Sequence, residues 1–148
     1  MSNLDSITSK KKKLDSLKPI NEHTLQSLED WLKVELTYSS NAIEGNTLTR
    51  METAEVLEKG VSATISGKPL KDQIEAINHA KALDFIKDLA AKRKSHQFIT
   101  EEDILGIHKL ILSGIIDDWA GKYRQTQVYI RGTNLDLPIP NEVPILMR

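Results

Sequence analysis

The sequence predicts a mainly α-helical domain that carries one small β-hairpin flap near its end. Apolar residues recur at intervals of three and four over several long stretches, residues typical of helix starts and stops flank those stretches, and one β-prone stretch follows residue 120. Hydrophobic residues make up 39% and charged residues 28% of the 148 positions. That balance is typical of a single folded globular unit and excludes a disordered chain.

The first 20 residues predict a flexible basic leader, and residues 21–148 form the predicted domain. The leader contains an unbroken lysine run of Lys10, Lys11, Lys12 and Lys13, which is typical of a solvated chain end, although a basic contact patch stays open as an alternative. The formal net charge of −1 gives no general attraction to nucleic acid or to an anionic membrane. No stretch has the length and apolar character of a signal peptide or a membrane span. We therefore expect no nucleic-acid and no membrane partner.

The first predicted helix covers residues 22–44. Its apolar residues recur with the spacing that places them on one helical face, namely Leu25, Leu28, Leu32 and Leu36. Gly45 and Asn46 follow at once, and these two residue types most readily adopt the left-handed conformation that ends a helix.

Two further helices follow this stop. Thr49 and Glu52 have the spacing of a capping box, and Gly60 ends the short helix that they begin. Pro69 suits the first turn of a long helix, whose apolar positions continue to about residue 92.

The last part of the chain combines one helix with irregular and extended segments. Thr100 is a predicted N-cap for a helix that ends near Gly114. Residues 127–131 are β-prone, residues 132–134 suit a turn, and residues 135–140 are extended with two prolines. We therefore predict a short irregular hairpin within a flap of about residues 121–140, followed by the start of another helix after residue 141.

Side chains in the usual catalytic arrangements are missing from the sequence. It contains no glycine-rich phosphate loop, no His-Glu-x-x-His pair and no serine elbow. No histidine lies three or four residues from another, which argues against a shared helical metal face among His23, His79, His96 and His108. Cysteine is absent, which excludes disulfides and thiolate zinc sites and favours a cytoplasmic location. We predict no metal ligand, and a structural role for His108 in the core.

Glu44 stands out because it occupies the end of its predicted helix. The free carbonyl groups and the dipole of a helix C-terminus disfavour a carboxylate there. Either a cationic partner stabilises Glu44 or the side chain is simply solvated beside the Gly45 stop.

The residues around Glu44 resemble the inhibitory motif of Fic-family proteins, Ser/Thr-x-x-x-Glu-Gly/Asn, through Ser40, Glu44, Gly45 and Asn46. Later stretches resemble the same family in the same order. They include the long helix with Glu75, Asn78 and Ala82, the Gly-x-Tyr-Arg segment at 121–124, the flap residues 128–130 and the Pro-Ile-Pro stretch at 138–140. The likeness covers about residues 30–148.

The resemblance implies an activity that this sequence does not contain in full. Fic proteins mostly transfer AMP from ATP, with Mg2+, to a hydroxyl group of a target protein, and they use a His-Pro-Phe-x-x-Gly-Asn-Gly-Arg motif. That motif is absent from the 148 residues. The resemblance therefore implies the N-terminal portion of a Fic domain, truncated before its catalytic motif. The resemblance therefore implies no catalytic residue in this chain, an inert chain when isolated, and no ATP or Mg2+ bound to it alone.

The same resemblance assigns roles to two groups of residues. Glu44 would pair with an arginine of the missing motif and occupy the place of the ATP γ-phosphate, with Ser40 supporting it by a hydrogen bond and Gly45 and Asn46 ending the helix. The flap would hold the target segment by strand addition through Val128, Tyr129, Ile130, Arg131 and Gly132. Self-association into a homo-oligomer is a further expectation from the family.

Three hypotheses follow. The leading one is the regulatory and target-docking portion of a Fic-type protein adenylyltransferase that is auto-inhibited through Glu44. The second is a stand-alone, antitoxin-like inhibitor that supplies Glu44 in trans to a separate Fic enzyme; the flap-like residues 121–140 argue against it, since an inhibitor needs no docking hairpin. The third is a helical interaction domain whose likeness to the family is accidental.

Overall fold

The computed structural model describes residues 3–93 and 98–147, and within them the protein is mainly helical. The mainly α prediction is therefore confirmed. Lys94 and His96 lie outside the described residues. The α-helices in chain order are α1 (Asn3–Asp15), α2 (Glu22–Ile43), α3 (Arg50–Lys59), α4 (Leu70–Lys92), α5 (Glu101–Leu112) and α6 (Val143–Leu146). Short 3-10 turns cover Gly60–Ser62 and Pro140–Glu142.

The chain divides into two compact units, Met1–Lys33 and Val34–Arg148. The first unit contains α1, within the residues for which the sequence predicted a flexible basic leader. Helix α1 is supported by a salt bridge of 2.6 Å between Lys11 and Asp15, one turn apart, and by lysines in its last turn, where cations suit the helix dipole. The division into a leader of residues 1–20 and a domain of residues 21–148 stays a prediction.

The core of the second unit lies where α3 packs against α4. It is formed by small and branched apolar side chains from the turn after α2, from α3, from the loop that follows and from α4, namely Leu48, Val56, Ala63, Ile65 and Ala76. Helix α4 also packs against α5. Helix α4 is thus the central element to which the surrounding segments attach.

Capping boxes fix the starts of α3 and α5. Glu52 accepts a hydrogen bond of 2.7 Å from the amide of Thr49, and the Thr49 hydroxyl accepts one from the amide of Glu52. Thr100 and Asp103 repeat this arrangement at α5. The hydrogen bonds that the Thr49 and Thr100 amides donate lower the pKa values of the Glu52 and Asp103 carboxyls, because they stabilise the ionised forms.

The predicted β-hairpin does not appear: no strand forms anywhere in residues 98–147. A turn is present, with Gly132 at a φ of 84° and a 3.3 Å bond from the Thr133 amide to the Ile130 carbonyl. Beyond it, Pro138 and Pro140 have no amide to donate to a ladder. Side chains link the two arms instead, since Gln127 Nε2 donates to the Leu137 carbonyl at 3.1 Å.

Candidate functional site

Helix α2 ends in a Schellman motif at the residues that the sequence had singled out. The Gly45 amide donates to the Ala42 carbonyl at 3.1 Å, and the Asn46 amide donates to the Asn41 carbonyl at 3.0 Å. Gly45 makes this possible because its φ of +90° is a conformation that side-chain-bearing residues rarely adopt. Glu44 is therefore the last residue before the chain reverses, and its backbone position is fixed by the bonds around it.

The carboxylate of Glu44 is exposed and, among residues 3–93 and 98–147, it has neither a hydrogen-bond donor nor an ion-pair partner. Ser40 lies one turn earlier in α2 and is half-buried, and its hydroxyl likewise has no hydrogen-bond partner in the described part of the chain. The arrangement leaves a negative group next to the negative end of a helix dipole. The predicted supporting bond from Ser40 and the predicted cationic partner of Glu44 stay predictions.

Asn46 and Thr47 connect the end of α2 to the first turns of α4. Asn46 Nδ2 donates to the carbonyl of Asp72 at 2.9 Å and to Glu75 Oε2 at 3.0 Å. The amide and the hydroxyl of Thr47 both donate to Asp72 Oδ2, at 2.8 and 2.6 Å. Lys68 Nζ donates to the Thr47 carbonyl. We call Asn46, Thr47 and Asp72 the turn clamp.

Two further contacts hold the second half of α2. The Thr37 hydroxyl, which is fully buried, lies 3.2 Å from Nδ1 of His79 on α4. Burial lowers the pKa of His79, because the imidazolium loses hydration there. Glu35 Oε1 lies 2.7 Å from Arg50 Nε at the start of α3. Residues 34–43 of α2 are thus attached to both α3 and α4.

The predicted flap residues form an open, irregular segment. Tyr129 is 84% exposed and Ile130 49% exposed, and the amides of Val128, Tyr129 and Ile130 make no hydrogen bond within the described residues. Arg131 and Gly132 lie in the turn that follows. No hydrogen bond or ion pair in the described ranges joins this segment to residues 40–46.

Tyr123 and Arg124 form a brace that attaches the start of the flap to α5 and to the opposite side of the loop. The Tyr123 hydroxyl donates to Glu101 Oε1 on α5 at 3.0 Å. The Arg124 guanidinium donates to the carbonyl of Thr126 at 2.9 Å and to that of Pro138 across the loop. Gly121 lets this segment approach α5, because a Cβ there would lie 2.9 Å from the Cβ of Lys109. The Gly-x-Tyr-Arg segment at 121–124 therefore holds the beginning of the flap against α5.

An open apolar hollow of about 340 Å3 lies beside this brace. Its lining includes Ile104, Leu105, His108 and Trp119. His108 is half-buried in that lining, a position that agrees with the apolar face on which the sequence placed it.

Within the described ranges, no three histidine or acidic side chains come together in a way that could hold a metal ion. In the same ranges, no helix combines the length and the apolar character that crossing a membrane requires.

The turn clamp was not found from the sequence. Asp72 lies 25 positions after Thr47, and no local pattern ties an aspartate in the first turn of one helix to the turn that ends another. Asn78 was noticed only for its resemblance to the family. In the structure it donates to the carbonyls of Ile111 and Ser113 and so caps the C-terminal end of α5.

Comparison with known proteins adds sequence and structural relatives. A protein adenylyltransferase of Culex quinquefasciatus is 30% identical over 92% of this chain, which spans 26% of that protein's length. One of Caenorhabditis briggsae is 39% identical over 63% of the chain and 18% of its own length. A Fic domain containing signaling protein from Bacteroides thetaiotaomicron superposes with a TM-score of 0.79 at 31% identity, over 99% of this chain and 53% of that one. No family model matches the chain.

Proposed function

Because the chain belongs to the Fic domain family, we propose that it is the regulatory and target-docking portion of a protein adenylyltransferase. Such an enzyme would transfer AMP from ATP to a hydroxyl group of a target protein. The proposal rests on the adenylyltransferases to which the chain is similar and on the geometry at the end of α2. A cytoplasmic location belongs to the same proposal.

The position of Glu44 carries the regulatory half of this proposal. An exposed carboxylate that is held at a helix C-terminus, without a partner in the described residues, is suited to receive a cation from another segment. In our proposal that cation is the arginine of a His-Pro-Phe-x-x-Gly-Asn-Gly-Arg motif. Glu44 then competes with the γ-phosphate of ATP for the same arginine and so keeps the nucleotide out of its productive position.

ATP and Mg2+ are the small molecules that the proposed reaction requires. The described residues bring no three acidic or histidine side chains together, and the sequence has no glycine-rich phosphate loop. In our proposal the catalytic motif, and not the described residues of this chain, holds both groups. The part left to this chain is to place Glu44 and to hold the target.

The exposed segment at residues 128–132 supports the docking half of the proposal. Its amides are free of hydrogen bonds within the described residues, and its side chains point to no fixed partner among them. An extended target segment can add to such a backbone through main-chain bonds. The hydroxyl to be modified would then be carried by a residue of that segment.

The test is an assay of magnesium-dependent AMP transfer in a polypeptide that contains this chain together with the catalytic motif. Replacing Glu44→Gln should raise the transfer rate by about tenfold or more, in the range of ordinary coupling between two competing ligands. Glu58→Gln is the matched control, because Glu58 is an exposed glutamate near the end of α3 and outside the inhibitory motif. Equal rates for the wild type and both variants would rule out inhibition through Glu44.

The isolated 148-residue chain allows two further tests. AMP transfer to itself or to any protein would overturn the regulatory assignment. Alternatively, the chain could inhibit a separate Fic enzyme that lacks its own inhibitory glutamate, and this inhibition could disappear in Glu44→Gln. That result would favour the antitoxin-like function in trans.

A further inference from the structure

We propose that Asp72 is a positioning residue for Glu44, acting through the turn clamp, so that the inhibitory state depends on a carboxylate outside the inhibitory motif. The inference rests on the proposed function of Glu44. It extends that function by naming the side chain that holds the end of α2 in register with α4.

The contacts of Asp72 reach both residues that follow the Schellman turn. Its Oδ2 atom accepts two hydrogen bonds from Thr47, and its carbonyl accepts one from Asn46 Nδ2. Asp72 is only 7% exposed. A buried carboxylate that loses its donors pays a large desolvation cost, so these bonds hold more firmly than exposed ones would. Asp72 therefore fixes the chain at residues 46 and 47.

Glu44 is connected to this fixed point by a short and rigid path. The Asn46 amide bonds back to the Asn41 carbonyl, and the Gly45 amide bonds to the Ala42 carbonyl, so residues 41–46 move as one turn. On the other side of the clamp, Leu48 is 4% exposed in the core. The Glu44 side chain is exposed and has no hydrogen bond or ion pair of its own within the described residues that would orient it. Its direction is set by the turn, and the turn is set by Asp72.

The chain contains a matched control for this carboxylate. Asp103 is also 7% exposed, also occupies the third position of its helix, and also accepts from the amide and the hydroxyl of one threonine, Thr100, both at 2.7 Å. It holds the start of α5, and in the described ranges it makes no hydrogen bond or ion pair with residues 40–48. Asp72→Ala and Asp103→Ala thus each remove the bonds from one threonine amide and one threonine hydroxyl, at two different places, and Asp103→Ala also removes the 2.6 Å ion pair with Arg93.

The first measurement uses the full chain and follows hydrogen exchange at the amides of Gly45 and Asn46. We expect Asp72→Ala, which removes both bonds from Thr47, to speed exchange at both amides by about tenfold or more. Asp103→Ala should leave them unchanged relative to amides of the α4 core. Thr47→Val removes one bond to Asp72 and keeps the amide, and it should give a smaller change in the same direction. This milder variant decides the matter if Asp72→Ala does not fold.

The second measurement asks whether the effect passes through Glu44. In the polypeptide that carries the catalytic motif, Asp72→Ala should raise AMP transfer toward the rate of Glu44→Gly and should add nothing in the Glu44→Gly background. If Asp72 only stabilised the fold, Asp72→Ala would not raise AMP transfer. Asp103→Ala should likewise leave AMP transfer unchanged. If Glu44→Gly itself has no effect, the proposed function fails. If Glu44→Gly raises transfer and Asp72→Ala leaves it unchanged, or if exchange at Gly45 and Asn46 does not respond, the positioning role is wrong.

Discussion

Asn78 Nδ2 donates a hydrogen bond of 2.7 Å to the carbonyl of Ser113, and a second one of 3.1 Å to the carbonyl of Ile111. Because Asn78 is 4% exposed, one buried amide of α4 satisfies two carbonyls at the end of α5. The structure thus joins these two helices by a polar bond as well as by packing.

Replacing Asn78→Ala should lower the free energy of unfolding by about 1–3 kcal/mol, the cost of removing two hydrogen bonds that a buried amide donates. Urea denaturation followed by circular dichroism measures this change. Asn134→Ala is the control, because Asn134 is exposed in the loop and its removal should have little effect. Equal stabilities for the two variants would contradict the capping role.

Gly121→Ala should destabilise the protein more than Gly132→Ala does. Both glycines have positive φ values, 72° and 84°, but a Cβ at Gly121 would lie 2.9 Å from the Lys109 Cβ, whereas one at Gly132 meets nothing within 4 Å. The two variants therefore share the backbone strain and differ in the steric clash. We expect a difference of about 1–3 kcal/mol in the free energy of unfolding, measured by chemical denaturation. No difference would mean that α5 shifts freely away.

The free energy of unfolding should fall as the pH drops through the acid range because of Asp103. Its pKa is lowered in the fold, chiefly by the Thr100 amide, and then by the Thr100 hydroxyl and Arg93. The unfolded chain therefore takes up the proton first, near its ordinary pKa of 3.8, so stability is fully present above that value and is lost below it. Asp103→Asn should flatten this dependence in denaturation curves between about pH 5 and pH 2. An unchanged slope would show that other carboxyls cause the acid sensitivity.

His79 should produce a second, milder loss of stability that begins at higher pH. Burial lowers its pKa below the ordinary 6.5, so the unfolded chain binds the proton at a pH where the folded chain does not. The free energy of unfolding should therefore decline as the pH falls from about 6.5 toward the folded pKa. His79→Gln should remove this part of the dependence, whereas His23→Gln, at an exposed position, should keep it. Titration of the His79 ring by NMR gives the folded pKa directly, and a value at or above 6.5 would refute the prediction.

If the flap holds its target by strand addition, the backbone at Tyr129 should matter more than its side chain. Tyr129→Pro removes the amide donor and should reduce target modification by about tenfold, while Tyr129→Ala should reduce it far less. AMP transfer to the target in the polypeptide that carries the catalytic motif is the measurement. Similar losses in both variants would indicate recognition through the exposed ring instead.

The helices could be predicted from the sequence because their signals are local. Apolar periodicity and the caps at Thr49 and Thr100 lie within a few residues of the features that they specify, and α3 and α5 begin where those caps predict. The helix α1 was missed because its support comes from pairs such as Lys11 and Asp15, whose charges also suit a solvated chain.

The candidate site could be predicted only as far as its local part. The end of α2 at Gly45 follows from glycine alone, but the contacts of Asn46 and Thr47 with Asp72 span 25 residues or more. Such contacts depend on how helices pack. The predicted hairpin failed for a related reason: residues 127–131 have β propensity, but a strand needs a paired backbone, and the arm containing Pro138 offers few donors.

The loop between Gln127 and Leu137 is closed by side chains that reach carbonyl groups and not by a ladder of main-chain bonds. A ladder fixes its register, so inserting or deleting a single residue turns every following side chain to the opposite face. Because no strands pair in this loop, a change in its length does not shift a strand register. Its tip around Gly132 can therefore grow or shrink by one residue at a time while Arg124 and Gln127 keep the two ends together, and variants of different loop length could be made without rebuilding the helices beneath.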